Sequence, residues 1–254
     1  MKKTRRLLAL LLAMVMMLAL TVTAGAEEVT TTAAKNEITV IYTNDVHTYI
    51  DKTLSYATVS AMKQDYQKAG KQVLLVDAGD HIQGTAYGGM DEGKTIVQLM
   101  NAAGYDLGTL GNHEFDYGMA RAKAVIKEAD FPYVSCNWVD LRTGLRVLPA
   151  VKLFPAGGKW IAFVGITTPE SFTKSTPAYF MNAKQTKYIY DILGGDDGKK
   201  LYDAVQKGID KAKALGADII IGLGHLGVDP SSSPWTSEEV IANTTGFDAF
   251  IDGH

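Results

Sequence analysis

In "DLGTLGNHEFDYG", residues 106–118, an apolar run stops at a glycine, and Asn112, His113, Glu114 and Asp116 follow within five residues. A stretch like this is either a polar turn facing water or part of a reaction centre. Four other apolar runs end in the same way. "ITVIYT" precedes Asn44, Asp45, Val46 and His47; "VLLVD" precedes Ala78, Gly79, Asp80 and His81; "DIIIGLG" precedes His225; and "FDAFI" precedes Asp252, Gly253 and His254. All five histidines of the chain lie at these ends. One histidine at a strand end is more often a hydrogen-bonded structural residue than a ligand. Five ends that each carry His, Asp or Asn point to one shared site, because loops converge at the carboxyl ends of strands in open α/β sheets. Asp45 and His47 are two apart, so in an extended segment both point to one side. Glycines before Asp80, Asn112, His225 and His254 leave room for the backbone to turn beside a ligand.

Imidazole, carboxylate and amide donors suit borderline or hard divalent ions such as zinc, manganese or iron, and not a soft thiolate site. Asp45, His47, Asp80, Asn112, His225 and His254 are six candidate ligands, more than one tetrahedral ion takes. Two ions with one carboxylate shared between them are therefore expected. Two metals about 3.5–4 Å apart clamp a transferring phosphoryl group and make hydroxide from water at neutral pH. A competing motif, "GLGHLG" at residues 222–227, is a literal G-x-G-x-x-G after a strand. A dinucleotide site needs a helix next, and Pro230 and Pro234 in "VDPSSSPW" cannot begin one there. Its glycines read instead as freeing the loop around His225.

The elements that must position these loops alternate along the chain. Strands over 38–42, 73–77 and 106–110 are separated by helices over 55–69 and 94–103. The first helix has Ala57, Ala61, Met62, Tyr66 and Ala69 on one face, and the second carries Ile96, Val97, Leu99 and Met100 and stops at Gly104. A helix over 117–129 follows, for which Asp116 is a candidate N-cap. Further strands are "YVSCN", "WIAFVGITT", "DIIIGL" and "FDAFI", with helices over 201–215 and 237–242. Leu201, Val205, Ile209 and Ala212 align on one face of the first of these. Several strands are apolar throughout, which implies sheets covered on both faces and an α/β class. Residues 171–198 carry aromatics without a helical period and read as a surface loop or small insertion, with a substrate-facing lid as the alternative.

At 254 residues, 46% hydrophobic and 21% charged, the chain can bury a real core. Residues 1–26 read as a secretory signal peptide: four basic residues at the start, an apolar run from Leu7 to Leu20 that is short for a membrane span, then Ala24-Gly25-Ala26. Residues 27–36, "EEVTTTAAKN", read as a linker. Cleavage after Ala26 leaves 21 basic against 28 acidic residues. A chain this acidic is a poor binder of duplex nucleic acid, though metal ions could supply positive charge locally for an anionic ligand. The single cysteine, Cys136, cannot form an internal disulfide and reads as a small core residue, with a reactive thiol as the alternative.

Six motifs, "YTNDVH", "DAGDHIQGT", "GNHEFDYG", "VGITTPE", "GLGHLG" and "IDGH", resemble in kind and order those of the 5'-nucleotidase family of secreted metallophosphoesterases. That family includes UDP-sugar hydrolases and 2',3'-cyclic-nucleotide 2'-phosphodiesterases. The resemblance implies a four-layer α/β/β/α metallophosphoesterase sandwich over residues 37–254, with a two-metal site at one edge. It implies Asp45 and His47 as ligands of one ion, Asn112, His225 and His254 as ligands of the other, and Asp80 as the bridge. The ions expected are zinc, manganese, cobalt or magnesium. It further implies His113 as the catalytic imidazole, stabilising transition-state charge as hydroxide attacks phosphorus in line, with Asp116 orienting it. Glu114 reads as structural, and His81 as either a supporting residue or an exposed one.

The family pattern has a second histidine two residues past "DGH" and then a substrate-binding domain, so the sequence up to His254 reads as the N-terminal catalytic part of a longer protein, with the first ion one ligand short. The expected activity is release of phosphate from extracellular nucleotides, with cyclic nucleotides or UDP-sugars as alternatives. A metal-binding remnant without turnover is the reading from another class, and coding sequence beyond His254 would separate them. The expected setting is secreted, periplasmic or cell-surface, with a nucleotide or other small phosphate ester as partner and no membrane span left after signal cleavage.

Overall fold

The computed structural model describes residues 37–254, and the signal peptide and linker read over residues 1–36 lie outside the described residues. β1 (Ile38–Thr43) leads through α1 (Tyr56–Lys68) to β2 (Gln72–Asp77), and β2 through α2 (Ala86–Gly89) and α3 (Lys94–Ala103) to β3 (Leu107–Gly108). α4 (Met119–Glu128), β4 (Trp138–Asp140), β5 (Leu145–Arg146), β6 (Val151–Ala156) and β7 (Lys159–Thr167) follow. The chain continues through α5 (Ser171–Lys174), β8 (Tyr190–Ile192), α6 (Lys199–Ala214), β9 (Ile219–His225), α7 (Ser237–Ala242) and β10 (Ala249–Ile251). One sheet has the order β1-β2-β3 and is parallel throughout. The second has the order β10-β9-β7-β6, with β10, β9 and β7 parallel and β6 paired antiparallel to β7. A small antiparallel sheet, β5-β4-β8, stands apart.

Side chains alternate across a strand, so a strand apolar on every position feeds two cores. Leu74 and Val76 of β2 pack with Ile161 and Phe163 of β7 and with Ile221 and Leu223 of β9, which fills the space between the two large sheets. Leu75, between them in sequence, joins Tyr56 and Val59 of α1 and Ile96 and Met100 of α3 on the outer face. On the second sheet Ala162, Val164 and Ile166 meet Leu201, Val205 and Ile209 of α6 and Val240 of α7. The layers therefore run α/β/β/α, as the resemblance implies. Each aliphatic side chain buried this completely contributes about 1.5–3 kcal/mol, which makes the sandwich a firm base for the loops at its edge.

Some local readings are corrected. "YVSCN" is not a strand of either sheet. Val134 N–H donates to Gly108 O (3.0 Å) and Cys136 N–H to Gly165 O (2.7 Å), so the segment crosses from one sheet to the other. Cys136 is fully buried, and burial pushes its thiol up to about 12, in keeping with a core residue. α1 buries Tyr56 and Val59, whereas Met62 and Tyr66 are exposed. Lys63 explains the rotation: its amine lies 2.7 Å from Asp106 at the inner edge, a contact that hydropathy alone does not register. Residues 171–198 are more than a surface loop, because Phe180, Tyr190 and Ile192 are buried beside Phe115 and Trp138 in the outer core. In "GLGHLG", Gly222 and Gly224 sit inside β9, where a Cβ added at either would clash with the Phe250 ring. They admit β10's aromatic side chain and do not free a loop.

Candidate metal centre

The carboxyl ends of β1, β2, β3, β9 and β10 meet at one edge of the sandwich, and the chemistry-bearing residues follow directly from them. Asp80 is the hub. Its Oδ2 lies 3.0 Å from His225 Nε2 and 3.8 Å from His47 Nε2. Asp45 Oδ1 lies 3.9 Å from His47 Nε2 and 3.8 Å from His225 Nε2. Two sets of side chains have donor atoms within 4.8 Å of one another, His47–Asp80–His113 and Asp80–His225–His254, and Asp80 is common to both. The ring centroids of His47 and His113, and of His225 and His254, are each 5.0 Å apart.

The backbone is bent to achieve this. Asp45 (φ 50°), His47 (φ 45°), Asp80 (φ 60°) and His254 (φ 93°) are all left-handed, a conformation that costs a non-glycine residue about 1–2 kcal/mol. The extended geometry read for Asp45 and His47 is therefore corrected: they converge because the chain curls. Each strained residue has its N–H anchored. Asp45 donates to Gly79 O (3.0 Å) and His47 to Asp80 O (3.0 Å). Asp80 donates to Glu114 Oε2 (2.8 Å) and His254 to Asp45 Oδ2 (3.0 Å). Gly111 permits the closest approach, since a Cβ there would lie 2.7 Å from both Asp80 Cγ and His225 Nε2.

Two atoms test whether a cation fits. His225 is fully buried, and its Nδ1 is 2.7 Å from Ala78 O, which fixes the N–H on that side. Its Nε2 then turns a lone pair toward a carboxylate, an arrangement that requires either a proton or a metal ion between them. In hydrogen-bonding terms this Nε2 is orphaned, and so is the buried Oδ1 of Asn112. Orphaned acceptors beside carboxylates suit a divalent cation, so His225 and Asn112 fit a metal at this edge. In the metal-free chain, burial opposes charge on His225, but Asp80 outweighs it and holds the imidazole at about 9. Burial likewise opposes ionisation of Asp80, and His225 with His113 outweighs that, holding its carboxyl at about 2.

His113 stands at the rim, its side chain 29% exposed, with Nδ1 2.6 Å from Asp116 Oδ2. That bond is the main reason its pKa is raised. Asp116 does not cap α4: Gly118 occupies the N-cap position, and the carboxylate is committed to the imidazole. Glu114 is structural, as read, and central to the site. Its two oxygens accept from the N–H groups of Asp80, His81 and Gly111 at 2.7–2.9 Å and so staple the β2 and β3 loops together. His81 is fully buried, which removes the exposed reading, and it contacts Asp77 and Tyr133. Sequence reasoning missed Asp77, Tyr133, Glu170 and Lys174. Glu170 Oε2 and Lys174 Nζ each lie 2.9 Å from His254 Nε2. For Asp77 a signal existed, a carboxylate closing an apolar strand, and "VGITTPE" already held Glu170.

Residues 38–254 match the calcineurin-like phosphoesterase family. The chain belongs to that family. Human 5'-nucleotidase is 32% identical over 240 residues, covering 86% of this chain and 38% of that protein. The trifunctional nucleotide phosphoesterase YfkN of Bacillus subtilis is 30% identical over 256 residues, covering 87% of this chain and 17% of its own length. The crystal structure of calcineurin-like phosphoesterase YfkN from the same organism superposes with a TM-score of 0.67 at 28% identity, over 85% of this chain and 71% of that one. The resemblance to 5'-nucleotidases is thus borne out at the level of sequence and fold, while this phosphoesterase chain spans less than half the length of the two curated relatives.

Proposed function

We propose that the chain is a metal-dependent phosphohydrolase acting on nucleotides, with two divalent ions held by Asp45, His47, Asp80, Asn112, His225 and His254. The observation that carries this reading is Asp80, a buried carboxylate whose Oδ2 lies 3.8 Å from His47 Nε2 on one side and 3.0 Å from the orphaned Nε2 of His225 on the other. Zinc, manganese, cobalt or magnesium suits the mixed oxygen and nitrogen donors. When bound, such ions polarise phosphoryl oxygens and make water acidic enough to supply hydroxide at neutral pH. The protein's own part is orientation and charge. Asp116 fixes His113 Nδ1–H, and the raised pKa of His113 favours the imidazolium, which can donate from Nε2 to an oxygen of the transferring phosphoryl. Lys174, exposed beside His254, adds a positive charge at the same rim.

Nucleotides are favoured as substrates by the relatives' names, 5'-nucleotidase and nucleotide phosphoesterase, and cyclic nucleotides or UDP-sugars are the alternatives. Residues 1–26 support export, and among the described residues no helix is long and apolar enough to cross a membrane. The test is hydrolysis by protein stripped with chelator and then reloaded with each ion, read as inorganic phosphate from AMP, nucleoside monophosphate from a 2',3'-cyclic nucleotide, and UMP with sugar 1-phosphate from a UDP-sugar. Metal-dependent release from at least one is expected. Release from none, with any ion, would overturn the reading.

A further inference from the structure

Beneath the Asp80 loop lies a buried polar cluster that the proposed chemistry does not use. Asp77, His81 and Glu114 have no exposed side-chain surface, and Tyr133 is buried beside them. His81 Nδ1–H donates to Asp77 Oδ1 at 2.9 Å and lies 3.4 Å from Glu114 Oε1, so one ring stands between two carboxylates. On its far side Nε2 shares a 2.8 Å hydrogen bond with the Tyr133 hydroxyl, and the two rings stack with centroids 5.8 Å apart. Those same carboxylates hold the loop. Asp77 Oδ1 accepts from Gly79 N–H at 2.9 Å, and Glu114 accepts from Asp80 and His81 at 2.8 and 2.9 Å.

We propose that His81 is a positioning residue, the link that keeps Asp77 and Glu114 side by side so that the loop between them holds Asp80 in its left-handed conformation, facing both sets of candidate ligands. Two buried carboxylates converging on one short loop repel each other, and a donor between them offsets that repulsion while both keep their backbone bonds. His81 fills that place through Nδ1, and Tyr133 sets the plane of its ring. Supports of this kind behind a metal ligand alter metal affinity by about 10- to 100-fold when removed.

The inference rests on the two-ion reading of Asp80, and manganese tests the two separately. The wild-type chain is titrated with Mn²⁺, and stoichiometry, affinity and the exchange-coupled electron paramagnetic resonance signal of a Mn pair are recorded. His81→Leu is expected to weaken the second Mn by about 10- to 100-fold and to lose the coupled signal, while far-UV circular dichroism stays native. His81→Asn, which retains a donor toward Asp77, should restore most of both. A folded His81→Leu protein that binds two Mn ions with wild-type affinity and coupling would overturn the role of His81 alone. A wild-type chain that never shows a coupled pair would overturn the two-ion reading and this inference with it. If His81→Leu does not fold, Tyr133→Phe replaces it. A several-fold weaker second Mn is then expected, and unchanged binding would overturn the proposal.

Discussion

Removing metal and raising the pH should weaken the fold across a defined window. His225 is held at about 9 because the adjacent Asp80 carboxylate outweighs the effect of burial. An unfolded histidine titrates near pH 6.5. A folded-state pKa raised above the unfolded one contributes stability that is complete well below pH ~6.5 and is lost as pH rises through about 9. With those two values, linkage leaves about 3 kcal/mol at pH 6.5 and about 1 kcal/mol at pH 8.5, a loss of about 2 kcal/mol from this residue. His81 is also held at about 9, where burial is outweighed by Glu114 and Asp77, so it adds a similar loss in the same window. Below pH 8.5 the Cys136 thiol, which burial pushes up to about 12, does not yet enter. Urea unfolding followed by circular dichroism in excess chelator, at intervals across this window, measures the fall directly. Metal binding requires the neutral imidazole, so the same series with saturating Mn²⁺ should fall less or rise. A chelated chain equally stable at both ends of the window would refute the assignment of charge to the buried histidines. So would a metal-loaded chain that loses as much as the chelated one.

Replacing His113 with alanine should lower turnover by about 100-fold or more while leaving bound Mn per chain unchanged, as kinetics and elemental analysis of one preparation would show. Gly111→Ala places a Cβ 2.7 Å from Asp80 Cγ and His225 Nε2. It should destabilise the chain by about 1–3 kcal/mol and lower metal content, read by denaturant unfolding and elemental analysis. Phe180→Ala, in the segment read as a surface loop, should cost about 3–5 kcal/mol in the same unfolding assay, because the ring is fully buried against Phe115 and Phe172.

The alternating layers were legible because β2, β7 and β9 are apolar on consecutive positions, and the strand ends because glycine, histidine and carboxylate follow those runs abruptly. Asp45, His47, Asp80, His225 and His254 could be brought together as a list on that ground. Their conformations could not, since the left-handed turn at Asp45 and His47 depends on acceptors from the β2 loop, more than thirty residues away. β4, β5 and β8 are only two or three residues long, which leaves no period to read, and β8 pairs with β4 from far along the chain. The face of α1 was missed because Lys63, a polar residue by composition, is turned inward by Asp106. His81 and Glu114 carry the same lesson: a charged residue in a ligand loop looks alike from its sequence whether it faces the substrate or the core.

The most direct test of the account is a titration of the chelated protein with Mn²⁺ while phosphate release from AMP is followed. Activity that is absent at zero metal, rises with added Mn²⁺ and levels off at two equivalents per chain is the predicted result. Release that levels off at one equivalent, or that persists in chelator, would contradict a centre built around a shared Asp80.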